Sequence, residues 1–239
     1  MSEYSRAVEV MECDFNRHMP PSQILSHCLS ITQIDIVRDG CSREIILPRL
    51  GAVWMISTMR IYQYDNLRPG DQIVYKTFPR VIEKNKYVFY VEIWRDDRLI
   101  VRFDTCYIPV HFEKRKIVPL QQVEPLWNTP PRRAVTKYLT RIRPDCVFTD
   151  CGGDTVRLSD CDSNGHMTSA AYPAMACDVL DFWNGDRERL MKMMQVDFHS
   201  EVRPGTALSF RRGESGGIRY MQGLKPDGTV AFTAACIFD

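Results

Sequence analysis

A seven-residue phrase whose side chains could do chemistry is written twice in this chain. Cys13-Asp14-Phe15-Asn16-Arg17-His18-Met19 returns 148 residues later as Cys161-Asp162-Ser163-Asn164-Gly165-His166-Met167, with five of seven positions identical. In the later copy Asp162, Asn164 and His166 alternate with Ser163 and Gly165, so an extended segment would turn the three polar side chains to one side. A carboxylate and an imidazole supply acid and base. An asparagine amide, together with backbone N–H groups at a helix entrance, polarises a carbonyl and stabilises the oxyanion of a tetrahedral intermediate. Acyl transfer to water needs little else. The residue types leave a blander reading open, in which the aspartate caps a helix and the histidine is a satisfied core residue.

The elements that must hold the phrase repeat as well. Arg68-Pro69-Gly70-Asp71 matches Arg203-Pro204-Gly205-Thr206, and the run Leu99 to Ile108 around Cys106 matches Thr229 to Phe238 around Cys236. Three matches in one order indicate an internal duplication. Each copy of the phrase is followed by apolar residues at helical spacing, Ile24, Cys28 and Ile31 in the first half and Ala171, Met175, Val179 and Phe182 in the second. Pro20 and Pro21 suit a first helical turn, and Thr168 or Ser169 suits a cap. Strand-like runs then follow: 53–64, 71–82 and 87–112 in half one, the last broken at Asp96-Asp97, and 191–200, 207–212, 218–224 and 229–238 in half two. One long helix followed by antiparallel strands predicts an α+β unit whose curved sheet wraps the helix. Residues 114–150, rich in proline and in Lys and Arg, read as a connector between a first unit, 1–113, and a second, 151–239. Leu126 and Trp127 are the residues expected to pin it.

Composition narrows the function classes. Lys and Arg number 31 against 30 Asp and Glu, so no field of one sign argues for nucleic acid or a membrane surface. The nine cysteines show no paired CxxC spacing for zinc or redox chemistry, and no metal or organic cofactor is implied. The start, Ser2-Glu3-Tyr4-Ser5, lacks a basic and then apolar leader, and no apolar run reaches about 18 residues. The expectation is a cytoplasmic protein, a monomer or a homodimer. His27 and Cys28, on the buried helix, read as packing.

The segment Val156 to Met167, followed by Tyr172, resembles the Asp-x-Asn-x-His segment of the acyl-acyl-carrier-protein thioesterases, a family of tandem hotdog enzymes. Trp54 to Tyr64, Arg68 to Asp71 and Tyr87 to Trp94 resemble the family's strand pattern in the first half, so the likeness spans nearly the whole chain. The resemblance implies two tandem hotdog domains, the first holding the acyl chain and the second catalytic. It implies hydrolysis of the thioester between a fatty acyl group and the phosphopantetheine arm of acyl carrier protein, which ends fatty acid synthesis. The family's glutamate, 35 residues beyond the histidine, falls on Glu201. Asp162, Asn164, His166 and Glu201 are then the candidate catalytic set, with Glu201 as base for water or Asp162 as direct nucleophile. Speculative acyl-pocket residues are Met55, Ile56, Met59, Ile61 and Phe89.

Two departures stand out. Val202 occupies a place where some members carry cysteine, which excludes a thiol nucleophile there. Thr168 and Ser169 replace two asparagines. In the first copy, alignment of the Arg-Pro-Gly turns sets Asn66 opposite Glu201, and a neutral amide is a poor base, so that copy reads as vestigial. The nearest rival function is an acyl-CoA thioesterase. More distant rivals are a hotdog hydratase or dehydratase, whose motif has a different spacing with proline inside, and a non-catalytic acyl-binding module.

Overall fold

Aromatic and β-branched residues at alternate positions build the strands, and two apolar helices give those strands a surface to bury against. A computed structural model describes residues 2–133, 139–180 and 188–239. The first half contains β1 (Ser2–Ala7), α1 (Pro21–Arg38), α2 (Arg43–Leu50), β2 (Ala52–Gln63), β3 (Gln72–Glu83), β4 (Lys86–Arg95) and β5 (Arg98–His111). Between the halves lie α3 (Leu120–Val123) and β6 (Arg132–Arg133). The second half contains β7 (Thr149–Thr155), α4 (Ala171–Val179), β8 (Met191–Phe198), β9 (Ala207–Ser215), β10 (Ile218–Leu224) and β11 (Val230–Phe238). The expected strands form within three residues of their anticipated limits, and Asp96-Asp97, both at positive φ, make the turn between β4 and β5. The sequence reading missed β1, β7 and α2. The last buries only Ile46 and holds Pro48, so it shows no apolar stripe.

The strands form one antiparallel sheet in the order β1-β3-β4-β5-β2-β8-β11-β10-β9-β7, with β6 pairing parallel to β3. The halves meet at β2 and β8, from Thr58 opposite Asp197 to Tyr62 opposite Met193. The repeat that carries Arg68 onto Arg203 also carries Arg60 onto Gln195, and these two are paired across the junction. A local two-fold relation between the halves therefore passes through that pair.

Both long helices pack on one face of this sheet. Ile24, Leu25 and Cys28 of α1 and Tyr172 and Ala176 of α4 share a single core with Met59, Ile61, Met194 and Val196 of the junction strands. Each such aliphatic side chain, fully buried, contributes about 1.5–3 kcal/mol relative to exposure. Pro20 and Pro21 open α1 as expected. On α4 the inward face is turned by about one position, because Tyr172, Pro173 and Ala176 are buried while Ala171, Met175 and Val179 are only partly so. Phe182 lies outside the described residues. Neither Thr168 nor Ser169 caps α4 through its hydroxyl; Thr168 instead offers its carbonyl to the Ala171 N–H.

The connector is pinned where expected. Trp127 is buried among Trp54, Tyr87 and Phe89, with the Arg80 guanidinium 3.5 Å from its ring centre. Further on, the chain crosses the face away from the helices. Lys86 Nζ donates to the Leu139 carbonyl (3.1 Å), Gln195 Nε2 to the Thr140 carbonyl (2.7 Å), and the Ile142 N–H to Asp197 Oδ2 (2.5 Å). Among the described residues no helix is long and apolar enough to cross a membrane.

One close approach controls the second half. Gly223 lies opposite Phe232, and a Cβ there would stand 2.1 Å from the Phe232 ring. That ring packs edge-on against Tyr172 (centroids 4.9 Å apart), and Tyr172 against Phe198 (5.0 Å). Gly223→Ala should lower stability by about 1–3 kcal/mol in urea unfolding, and adding Phe232→Leu should recover part of the loss.

Candidate active site

The repeated phrase folds as a turn, which corrects the extended alternation expected of it. Asp162 Oδ1 accepts the Asn164 N–H (2.8 Å), the Gly165 N–H donates to the Asp162 carbonyl (3.0 Å), and the Asp162 N–H to the His166 carbonyl (3.0 Å). A bridge between Cys161 and Met167 closes the turn. Gly165 sits at φ +75°, a left-handed conformation that glycine adopts without cost. The Met167 N–H then donates to the Val202 carbonyl (2.8 Å), which holds the segment between β8 and β9 against the turn. This brings Glu201 to His166, with Oε2 3.1 Å from Nε2. The Val202 side chain is buried in the core, so this position serves packing.

Two arginines from outside the second half reach the same groups, one in the first half and one at the start of the connector. Arg43, the first residue of α2, donates from Nη1 to Asn164 Oδ1 (3.1 Å). Arg115, in the turn after β5, donates to Glu201 Oε2, so that oxygen meets both Arg115 and His166. The side chains of Arg115 and Glu201 are 44% and 20% exposed, and an ion pair this wet adds only about 0–1 kcal/mol to stability. Neither arginine was expected in the catalytic set. Arg115 reads in sequence as one member of the basic run Lys114-Arg115-Lys116, and Arg43 lies in a helix with no periodic signal.

These groups surround a cavity of about 270 Å³. Asp162, Asn164, His166 and Glu201 line one wall, Tyr172 and Phe198 its floor, and Trp54, Met55, Ile56 and Phe112 of the first half the other wall. All four sequence-predicted residues thus meet in one place. Of the speculative acyl-pocket residues, Met55 and Ile56 line the cavity, whereas Met59 and Ile61 are buried in the main core and Phe89 packs in the aromatic cluster of the connector. A wider groove of about 620 Å³ adjoins the cavity, sharing Met55, Arg115 and Glu201 and adding Arg203 and Lys225. Burial, reinforced by the neighbouring Asp162 and Glu201 carboxylates, pushes the Tyr172 phenol up, so it stays protonated at neutral pH. Burial and then Asp160 and Asp162 raise the Cys161 thiol, which argues against a thiolate beside the turn. His199, on the rim, is pushed down by burial and then by Arg141. Its Nδ1 lies 3.0 Å from Arg141 Nη1, a donor only, so Nε2 carries the proton toward Thr233 Oγ1 at 3.0 Å.

The first copy repeats the turn with one added bond. Asp14 Oδ1 accepts the Asn16 N–H (2.9 Å) and also the His18 N–H (3.1 Å), the Asp14 N–H donates to the His18 carbonyl (2.8 Å), and Met19 N–H donates to the Leu67 carbonyl (2.8 Å). Its partners differ. Asn66 stands where Glu201 stands in the other copy, and accepts from Gln63. The carboxylate near His18 is Glu188, 4.0 Å away, 72% exposed and held by Arg68 at 2.6 Å. Glu188 has no counterpart in the repeat and could not be found by alignment. Asn16 Oδ1 is buried without a hydrogen-bond partner among the described residues.

Both halves of the chain match known proteins. Residues 2–123 match the acyl-ACP thioesterase N-terminal domain, and residues 153–229 match the acyl-ACP thioesterase C-terminal domain. An acyl-ACP thioesterase from Bacteroides thetaiotaomicron superposes with a TM-score of 0.80 at 16% identity, covering 100% of this chain and 97% of that one. The 12:0-ACP thioesterase from Umbellularia californica gives 0.80 at 14% identity, covering 100% and 96%. At such identities the likeness establishes the tandem hotdog fold. No curated protein sequence matches significantly. With both halves matched in order, the first over more than half of its length, the chain belongs to the acyl-ACP thioesterase family.

Proposed function

We propose that the cavity between the halves is where this enzyme hydrolyses the thioester of a fatty acyl-acyl carrier protein, with Asp162, Asn164, His166 and Glu201 as the working groups. One observation carries the assignment of roles. Glu201 Oε2 is engaged by His166 and Arg115, and among the described residues Oε1 has no hydrogen-bonding partner. That free oxygen is the base. It takes a proton from water as the water oxygen attacks the thioester carbonyl carbon. The carbonyl oxygen gains negative charge and is met by the Asn164 amide, whose own oxygen is turned toward Arg43. As the intermediate collapses the C–S bond breaks, and the proton held on Glu201 passes to the leaving sulfur. The products are the free acid and the thiol of the carrier arm, so atoms and charge balance.

His166 steadies Glu201 through its Nε2–H. Asp162 is assigned to the turn, because its Oδ1 fixes the Asn164 backbone and with it the position of the amide. Attack by Asp162 itself finds less support, since that carboxylate is already committed to the turn. In this reading residues 1–113 bind the acyl chain against Trp54, Met55 and Ile56, residues 151–239 carry the chemistry, and 114–150 join them. The partner is acyl carrier protein in the cytoplasm, and the acid released ends elongation on the carrier.

The test is free-thiol release from acyl-carrier-protein and acyl-CoA substrates of C6 to C18. Glu201→Gln should lower kcat by at least about 100-fold, and the wild type should act faster on the carrier-protein series. A Glu201→Gln enzyme retaining a tenth of the wild-type rate would sink the assignment. The first copy is proposed to be vestigial. Accordingly, His18→Gln and Glu188→Gln should each leave kcat within about twofold of wild type, and a loss comparable to that of Glu201→Gln would make it a second working site.

A further inference from the structure

Asn164 and Glu201 can each be held in a useful or a useless orientation. An asparagine side chain presents an oxygen at one edge and an NH₂ at the other, and only the NH₂ can stabilise an oxyanion. A carboxylate with both oxygens occupied by donors cannot take a proton from water. In both cases the group that settles the orientation comes from outside the second half.

We propose that Arg43 and Arg115 are positioning residues for the reaction, supplied to the second half by the first half and the start of the connector; the inference rests on the site reading above. A guanidinium has donors and no acceptor, so the 3.1 Å contact from Arg43 Nη1 requires the oxygen of Asn164 on that side. The NH₂ then faces the opposite way, and among the described residues it has no other partner. Arg115 and His166 converge on Oε2 of Glu201, which leaves Oε1 as the base. The exposure of Arg115 and Glu201 makes the pair a weak contributor to stability, so orientation is what it supplies.

The two arginines belong to one piece of structure. Arg43 opens α2, and the carbonyl of Gly51, just past the end of that helix, accepts the Phe112 N–H at 2.7 Å. Phe112 begins the turn that carries Arg115, which is closed by the Arg115 N–H on the His111 carbonyl (2.9 Å) and the His111 N–H on the Lys116 carbonyl (2.8 Å). Arg115 holds φ +54°, a left-handed conformation unusual for a residue with a side chain. Trp54 Nε1 donates to the Cys41 carbonyl (2.8 Å) and so ties β2 to the entry of α2. Helix and turn therefore keep a fixed spacing over the cavity. The first copy of the phrase offers the contrast, because Asn16 Oδ1 is buried there and, among the described residues, no arginine reaches it.

The experiment measures kcat and KM on an acyl-carrier-protein substrate for full-length Arg115→Ala, Arg115→Lys, Arg43→Met and Arg43→Gln, with urea unfolding of each. Arg115→Ala should lower kcat by roughly 10- to 100-fold with little change in KM. Arg115→Lys should recover part of the loss, as should guanidinium chloride added at concentrations well below the unfolding transition. Arg43→Gln, which keeps an N–H donor, should retain more activity than Arg43→Met, which keeps only length. Adding Arg115→Ala to Glu201→Gln should cost nothing further. Unchanged kcat, or an effect confined to KM, would overturn the proposal. So would a fall in kcat that neither lysine nor guanidinium repairs and that tracks a lowered urea midpoint, because the arginines would then be structural ties. Glu201→Gln alone tests the site reading: if it is inactive while Arg115→Ala is fully active, the site stands and the positioning role falls.

Discussion

The antiparallel pairing of β2 with β8 is the interaction on which the rest of the molecule depends. It converts two half-sheets into one and, because Arg60 and Gln195 are both repeat equivalents and direct partners, it relates the halves by a local two-fold. That relation sets α1 beside α4 on one face and points each copy of the phrase at the opposite half. Taken apart, each half would expose an unpaired strand edge and the apolar row of Met59 and Ile61 or of Met194 and Val196. The cavity is a by-product of the same geometry, since Trp54 to Ile56 on β2 face the turn at Asp162 across the seam.

The two phrases then diverged without losing their shape. Aspartate forms the turn in both, and in the first copy it accepts two backbone N–H groups. That second bond helps hold Arg17 at φ +65°, where a non-glycine residue costs about 1–2 kcal/mol. Gly165 takes the corresponding place without that penalty. What distinguishes the two constellations is therefore their surroundings: a glutamate after β8 or Asn66 after β2, and, among the described residues, an arginine on Asn164 and none on Asn16.

Much of this was legible in the residues alone. Alternation along β3, where Ile73, Tyr75 and Thr77 are buried between more exposed neighbours, and helical spacing at Ile24 and Cys28, declared the elements. The repeated phrase and the resemblance it supports brought Asp162, Asn164, His166 and Glu201 together. The misses share a cause. Arg43 and Arg115 act through where their long side chains end, across a seam that joins residues 86 or more positions apart in sequence, and no local pattern reports that. Met59 and Phe89 were misassigned because apolar character marks burial without saying whether the buried face meets a core or a cavity. The rotated inward face of α4 followed from Tyr172, whose ring needs the space between Phe198 and Phe232.

The margins of the sheet carry a consequence for assembly. At one end β3 is flanked by β1 and, further along, by the two-residue β6, so its outer side is occupied in two separate stretches. At the other end β7 bears two glycines, an irregular register between Asp150 and Gly153, and mostly exposed polar residues. Neither margin offers the long, flat, apolar strand that recruits another chain. The ladder of hydrogen bonds that fuses the halves thus stops where the chain stops it, and strand-by-strand growth into fibres meets a blunt terminus on both sides.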